Sequence, residues 1–540
     1  MPDPSLRPLP LSIPDFEDLR ESGRIYVDKT ALVCELAQNR LKYFLARPRR
    51  FGKSLLVSTF KSLFSHGVRD FKGLAAEALW KDKTYRVLHL DFSISANFST
   101  KEQFLGLFAA ALEAAAAEAG LDIPKAGGDP VADLCRFIAA QPRGSLVLLI
   151  DECDAPLTSC IDNPKLFHEV KECLSTLYAY VKSYSRSLRF FFMTGAANFS
   201  YAGIFSGFND LFDISLDPKY GALLGYTEEE IRADFGGYLS RAGLRLGLSE
   251  DALLGRLRAN YGGFCFDTKA SAPVFCPRSV LCFLNNPENG FENYWHSGGG
   301  QPAGLKRLLA GQGLGDTKDF SSPREIPIAE LSFPYASLED IRLEALMTQA
   351  GYLTIQGVRD DGVALLGYPN AEVTASVARL YAGQLLKGKT WLKDGAPPVS
   401  KLLETCGLPE AVRLFDEAIN AIDYKDFPVT NEAVCRSHVQ LLLFGAGLRP
   451  VAERHSAKGR SDLEFEAGER RWVLEFKYAK DKAEAAAKLR EGIEQMRARR
   501  YGETPGIRSL MRAVLVFDES ERRFGAFAEV PRELKKRTSA

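Results

Sequence analysis

The chain has 540 residues, too long for one hydrophobic core, so two or three domains are expected. Its 46% hydrophobic and 26% charged residues suit a soluble globular protein, and 69 basic against 69 acidic residues give zero net charge, which hides a mild asymmetry toward a basic C-terminal end. No apolar run reaches membrane-spanning length, the longest candidate (Leu105 to Ala117) being broken by Glu113, so no membrane partner is expected.

Residues 1–14 are Pro-rich and read as an extended tail, without the basic-then-apolar plan of a signal peptide. Ten cysteines without C-x-x-C spacing suit free thiols in a reducing, cytoplasmic setting. Ala31 to Asn39 reads as a helix, and the aromatic run from Lys42 as a buried strand. Helical apolar spacing resumes at Leu55, Leu56, Val57, Phe60 and Leu63. Gly52-Lys53-Ser54 therefore stands where a strand hands over to a helix N-terminus, with free N–H groups and a positive dipole end. That is a phosphate-cradling arrangement: Lys53 would reach the β- and γ-phosphates of ATP, and Ser54 would ligate Mg²⁺. The pattern G-x-x-x-x-G-K-[ST] is broken at its first position, where Arg47 stands, and Gly-Lys-Ser alone is a weak signal.

Tyr85 to Phe92 reads as a strand and Lys101 to Gly120 as an Ala-rich helix. Ser145 to Ile150 is a continuous apolar strand suited to the middle of a parallel sheet. It ends in Asp151-Glu152, where Asp151 is expected to hold the Mg²⁺ shell and Glu152 to orient the attacking water. An ordinary strand-ending turn is the plain alternative. A third strand, Leu188 to Met193, ends in Thr194, expected to sense the γ-phosphate. Thr227 and Glu230 form a capping box that opens a mostly helical lid from about residue 225. These parts define an α/β domain over 15–300, followed by a mixed linker module over 301–425.

Signals strengthen from residue 426 to 530, and 23 basic residues from Arg436 to Arg537 against 17 acidic ones from Glu432 to Glu533 permit a polyanion partner at this end. Ser461 to Glu466 and Arg471 to Lys477 both alternate polar and apolar, and the turn at Ala467 to Arg470 makes them a hairpin. A turn centred between Gly468 and Glu469 sets Asp462 opposite Glu475, with Lys477 on the same face and Leu463, Phe465, Trp472, Leu474 and Phe476 on the other. Two carboxylates and an ammonium suit Mg²⁺ or Mn²⁺ with a positioned water. A cross-strand salt-bridge ladder is the plain alternative. An amphipathic helix from Glu432 to Phe444 precedes the hairpin, and the helix Asp481 to Arg500 and the strand Ala513 to Phe517 follow it.

That order is the plan of the PD-(D/E)XK nuclease core, and the whole chain resembles the prokaryotic family that joins an AAA-ATPase-like domain to such a nuclease domain. The matching stretches include Tyr26-Val27-Asp28-Lys29-Thr30, Arg47 to Ser54, Leu149-Ile150-Asp151-Glu152, Ile204-Phe205-Ser206-Gly207, Tyr294-Trp295, Gln349 to Thr354, Tyr368-Pro369-Asn370, Gly459-Arg460-Ser461-Asp462 and Leu474-Glu475-Phe476-Lys477. The resemblance makes the Arg-rich loop normal, so that Arg47, Pro48, Arg49, Arg50, Phe51, Gly52, Lys53 and Ser54 are all expected at the nucleotide. It implies metal on Asp462, Glu475 and the Phe476 main chain, with Lys477 handling the water. Glu432 and Gln495 would join from the flanking helices. Ala196-Ala197-Asn198, Phe275-Cys276-Pro277 and Ala433 to Arg436 depart from the family pattern. The expected function is an ATP-gated, metal-dependent nuclease acting on nucleic acid, DNA ahead of RNA, with a homo-oligomer left open. The rivals are a nucleotide-dependent switch whose nuclease fold grips without cutting, and a protein-interaction ATPase.

Overall fold

The computed structural model describes residues 6–95, 97–125, 128–196, 210–295, 323–332, 342–386, 399–422, 424–425, 427–456, 459–499 and 509–531. The Ile204-Phe205-Ser206-Gly207 stretch and Arg500 lie outside the described residues. The chain divides into two compact units, Met1–Gly311 with Pro323–Glu372 and Gln312–Ser322 with Val373–Ala540. Residues 301–311 and 323–372 of the expected linker module fall in the first unit, and 312–322 and 373–425 in the second.

The first unit is built on an all-parallel sheet of β1 (Lys42–Ala46), β2 (Arg86–Asp91), β3 (Leu146–Asp151), β4 (Leu188–Gly195) and β5 (Leu211–Asp213), in the order β2-β3-β4-β1-β5. Every residue of β3 and β4 is buried, as expected for central strands covered on both faces. On one face Leu148, Ile150 and Phe191 pack with Phe104 and Phe108 of the helix Lys101–Glu118. On the other, Phe60 of the helix Lys53–His66 meets Phe190 and Phe192 with ring centroids 5.1 and 4.8 Å apart. β1 lies inside the sheet, so the loop after it opens at the carboxyl edge, where ligands of such sheets bind.

The lid packs the helices Glu228–Leu246, Glu250–Tyr261 and Pro277–Asn285 around Phe235, Leu239, Leu257 and Phe283. The expected capping box is present in both directions at Thr227 and Glu230. The N-terminal segment is not a free tail, which corrects that expectation. Leu9 is buried in the lid core, the Ile25 N–H donates to the Pro8 carbonyl at 3.1 Å, and the Tyr238 hydroxyl donates to the Arg7 carbonyl at 2.9 Å. Alternating prolines forbid regular structure here but still let Leu9 and Leu11 be buried or half-buried. Two small sheets complete the unit: β6 (Phe264–Cys265) with β7 (Pro273–Val274), and β8 (Arg324–Pro327), β9 (Thr354–Val358) and β10 (Val363–Gly367) in the order β8-β10-β9.

The second unit holds a mixed sheet of β11 (Val451–Ser456), β12 (Gly459–Ala467), β13 (Arg470–Ala479), β14 (Ser509–Asp518) and β15 (Arg523–Glu529), in sequence order. β12 and β13 pair antiparallel in the expected register, Leu463 opposite Leu474 and Phe465 opposite Trp472, and β13 pairs parallel with β14. Leu463, Phe465, Trp472, Leu474 and Phe476 form one core with the helices Leu408–Ala421 and Glu432–Gly445. Val473, Val514 and Val516 form a second core with Ala485 and Met496 of the helix Lys482–Arg499. β13 is therefore covered on both faces.

Gly263 holds φ +78°, and a Cβ there would stand 2.3 Å from the Pro369 carbonyl oxygen. Gly263→Ala should lower the stability of the full chain by about 1–3 kcal/mol or more in urea unfolding. Gly255→Ala, inside the helix Glu250–Tyr261 with nothing within 4 Å, should raise it by about 0.5–1 kcal/mol. Equal effects would contradict this packing.

Candidate functional site

Two clusters carry chemistry, one in each unit. In the first, the loop after β1 turns through left-handed backbone at Arg50 (φ +75°) and Gly52 (φ +91°) before the helix Lys53–His66 begins. A cavity of about 590 Å³, within the range of small-ligand sites, opens above it. Leu11, Ile13, Val27, Leu224 and Leu281 give it an apolar side suited to a nucleobase, and the loop from Arg49 to Ser54 gives it a polar end. Lys29, Arg49, Arg50, Lys53 and Arg278 face it against the single carboxylate of Glu152, a balance suited to a polyphosphate.

At the polar end, Lys53 Nζ lies 3.4 Å from the Pro48 carbonyl, to which it donates, and 3.9 Å from Glu152 Oε1. Burial raises the pKa of Asp151, against a hydrogen bond donated by the Ser54 hydroxyl. Ser54 thus stands near Asp151, and a serine oxygen near a buried carboxylate is a donor set that fits Mg²⁺. Glu152 takes left-handed backbone (φ +51°), an uncommon conformation outside glycine that often marks functional positions. Behind it, burial pushes buried Asp154 up to about 6, and its Oδ1 accepts the Ala196 N–H at 3.0 Å.

Three expected nucleotide contacts are corrected. Arg47 is turned into the protein, where Nη1 donates to the Ala46 and Ser215 carbonyls at 2.9 and 2.6 Å and Nη2 to the Tyr220 carbonyl at 3.0 Å. Its guanidinium lies over the Phe266 ring, 4.6 Å from the centroid, so it ties the loop down and does not face the cavity. Pro48 likewise offers only its carbonyl. The Thr194 hydroxyl donates to the Leu45 carbonyl across the β1–β4 pair at 2.8 Å, because β4 runs on to Gly195 and buries the residue taken for a tip. Sequence reasoning missed Arg278 and the cavity wall from Pro10 to Pro14. Arg278 follows a proline at the start of a lid helix, and its Nε is buried without a hydrogen-bond partner.

The second cluster sits at the β12–β13 hairpin. Asp462 Oδ2 accepts the Phe476 N–H at 2.8 Å, which brings its carboxyl beside Glu475. Glu475 has no exposure, and its Oε1 accepts from Lys477 Nζ at 3.3 Å. Its other oxygen, Oε2, is buried with no hydrogen-bond partner. Burial pushes Glu475 up to about 7, with the neighbouring Asp462 charge adding to the effect. Burial works against the Lys477 charge too, but Glu475, Glu432 and Asp462 outweigh it and hold that pKa above its ordinary value. Glu432 reaches the cluster from its helix, 3.7 Å from Lys477 Nζ. Arg436, one turn further on, lies 4.0 Å from Asp462 Oδ1, an approach the sequence did not suggest. Among the described residues no hydrogen bond joins Gln495 to the cluster, although Gly492 on the same helix lets it close on Lys477.

An orphaned, buried carboxylate oxygen beside a second carboxylate is a hard-ligand set that fits a divalent cation. Among the described residues no three His, Cys, Asp or Glu side chains are grouped to hold a metal. An ion here would take Asp462, Glu475, and main-chain or water oxygens, as Mg²⁺ commonly does. No described helix is long and apolar enough to cross a membrane.

Comparison with known proteins agrees with this division. A family described as "Predicted AAA-ATPase" matches residues 10–205, and one described as "PD-(D/E)XK nuclease superfamily" matches 430–526. A protein of Azotobacter chroococcum mcd 1, named "Uncharacterized protein in vnfD 5'region", is 30% identical over 496 residues, covering 88% of this chain and 90% of that one. The crystal structure of Cdc6p from Pyrobaculum aerophilum aligns with 71% of this chain and 97% of its own, at 14% identity and a TM-score of 0.27, too low to argue from.

A carboxyl raised in the fold binds more protons there than in the unfolded chain, so it lowers stability as pH rises from its ordinary value. For Glu475 that window runs from 4.5 to about 7. Without divalent metal, the full chain should lose up to about 3 kcal/mol across it. The loss should be smaller in Glu475→Gln, where only the other raised carboxyls remain, in urea titrations at pH 4.5 and 8. An identical pH slope in both proteins would contradict the burial of this charge.

Proposed function

Because the chain belongs to the family that joins a predicted AAA-ATPase domain to a PD-(D/E)XK nuclease domain, we propose that it binds and hydrolyses ATP in its first unit and cuts phosphodiester bonds with its second. DNA is the proposed substrate ahead of RNA, the nucleotide state gates cleavage, and the cytoplasm is the proposed place of action. The observation that carries the nuclease reading is the partnerless Glu475 Oε2, held beside Asp462 and Lys477. A salt-bridge ladder needs no buried carboxylate with a vacant oxygen, and would lie on an exposed face.

In the first unit Lys53 grips the terminal phosphates, Arg49 and Arg50 add charge at the cavity, and Ser54 with Asp151 would hold Mg²⁺. Glu152 orients the attacking water from its position facing Lys53. In the second unit Asp462 and Glu475 would hold Mg²⁺ or Mn²⁺, which supplies Lewis-acid chemistry at the scissile phosphate. Lys477 places the attacking water and offsets negative charge growing on the phosphate. Glu432 keeps Lys477 charged from the far side. The second reading, a nuclease fold that grips nucleic acid without cutting, is favoured by Arg436 beside Asp462, where it competes with a cation.

Purified protein with plasmid DNA, Mg²⁺ or Mn²⁺, with and without ATP, separates the two. Cleavage should require metal, and Asp462→Ala, Glu475→Ala and Lys477→Ala should each lower it by about 100-fold or more while DNA binding persists. Metal-independent binding without any cut would leave the gripping module. Lys53→Ala should abolish ATP binding, whereas Glu152→Gln should bind ATP and turn over at least about 100-fold more slowly. Unchanged ATP affinity in Lys53→Ala would overturn the loop assignment.

A further inference from the structure

Three stretches beyond the lid, around Tyr294-Trp295, Gly351 to Thr354 and Tyr368-Pro369-Asn370, have no part in the chemistry above. All three nevertheless fasten onto the loop or the lid. Phe51 of the loop meets Phe264, Phe266 and Trp295 edge-on, with centroids 5.0, 5.0 and 6.4 Å apart. The Thr354 hydroxyl accepts the Cys265 N–H at 2.7 Å, and Asn370 Nδ2 donates to the Gly262 carbonyl at 2.7 Å.

Glu372 is the hub. It is buried, and its Oε1 accepts the Trp295 N–H at 2.6 Å, with the Tyr294 N–H donating as well. The Ser279 hydroxyl donates to its Oε2 at 2.9 Å, and Asn293 Nδ2 to its main-chain carbonyl at 2.9 Å. The carbonyl of the same Tyr294 accepts Arg50 Nη1, and Ser279 directly follows Arg278. One buried carboxylate thus holds both the peptide that anchors Arg50 and the helical turn that carries Arg278, the loop and lid arginines facing the cavity. Burial pushes Glu372 up to about 7, and Arg50 is among the groups drawing it back. Burial and the neighbouring Arg278 both work against the Arg50 charge, while the Glu372 charge works in its favour.

We propose that Glu372 is a positioning residue of the nucleotide site, holding Arg50 and Arg278 at the cavity for the terminal phosphates through the Tyr294-Trp295 peptide and Ser279. This rests on reading the cavity as a nucleotide site. Glu372 is also the last residue of the first unit, in the first turn of the helix Ala371–Leu385.

The test is calorimetric titration of the full chain with ATP and with AMP, both with Mg²⁺. E372Q should weaken ATP about tenfold or more and leave AMP within about twofold, because only ATP offers terminal phosphates to the arginines. R50A should show the same selective loss, and the double variant should lose no more than either single. Equal losses for ATP and AMP, or additive losses in the double variant, would overturn the proposal and mark Glu372 as merely structural. Should E372Q not fold, S279A carries the test: a smaller, ATP-selective loss supports the proposal and unchanged ATP affinity overturns it. A parent that binds no nucleotide sinks the cavity reading itself, whereas a parent that binds ATP with additive variants sinks this proposal alone.

Discussion

Glu475 sits in the sheet with no exposure and one oxygen unpartnered, and the second unit is arranged around that constraint. An ionised carboxylate taken from water loses several kcal/mol of solvation unless charges or ligands replace it. Lys477 replaces part of it at 3.3 Å, and Asp462 makes the remainder worse. The placement follows from the strand pairing. β13 runs antiparallel to β12 on one side and parallel to β14 on the other, so Glu475 and Lys477 share the face of Val473, Val514 and Val516. The helix Lys482–Arg499 covers that face, and Gly492 permits the approach, since a Cβ there would stand 2.5 Å from Val514. The opposite face is occupied by Trp472 and its neighbours, which hold the hairpin in register. An isolated polar ladder needs none of this support.

The first unit shows the complementary arrangement, an excess of positive charge around open space. Arg47 does not line the cavity, but its contacts with the Ser215 and Tyr220 carbonyls fasten the loop to the segment after β5. That leaves Arg49, Arg50 and Lys53 at the cavity with Glu152 as the only facing carboxylate among the described residues. The lid supplies Arg278 and Leu281, and the N-terminal segment adds Leu11 and Ile13 to the apolar wall. Lid and N-terminal segment share one core, so these two walls are set together.

Much of this was legible in the sequence because the signals were local. The all-buried strand before Asp151, the capping box at Thr227 and the hairpin register each follow from spacing within about ten residues, where periodicity is dependable. What stayed hidden depends on distant contacts. Nothing in Leu9 to Pro14 shows that prolines will be held against the lid by Tyr238, more than two hundred residues later. Arg47 looked like a phosphate ligand because it occupies a loop position, yet Ser215 and Tyr220 decide where it points. Thr194 was taken for a strand tip because strand ends are the least readable feature of a sequence. The linker module appeared as a unit because its signals are weak, and its residues fall in both compact units. Arg436 escaped notice because a helical arginine ordinarily faces solvent, and only the hairpin brings Asp462 to it.

The central claim is that the hairpin carboxylates form a cation site, independent of the one that serves the nucleotide. Crystals soaked with Mn²⁺ and a non-hydrolysable ATP analogue, measured at the manganese absorption edge, test it most directly. The account predicts an anomalous peak within ligand distance of Asp462 and Glu475, with Glu475 Oε2 as one donor and Arg436 displaced from Asp462. That peak should persist when the nucleotide is omitted. No peak at the hairpin, with Arg436 and Lys477 still holding the two carboxylates at saturating Mn²⁺, would contradict it.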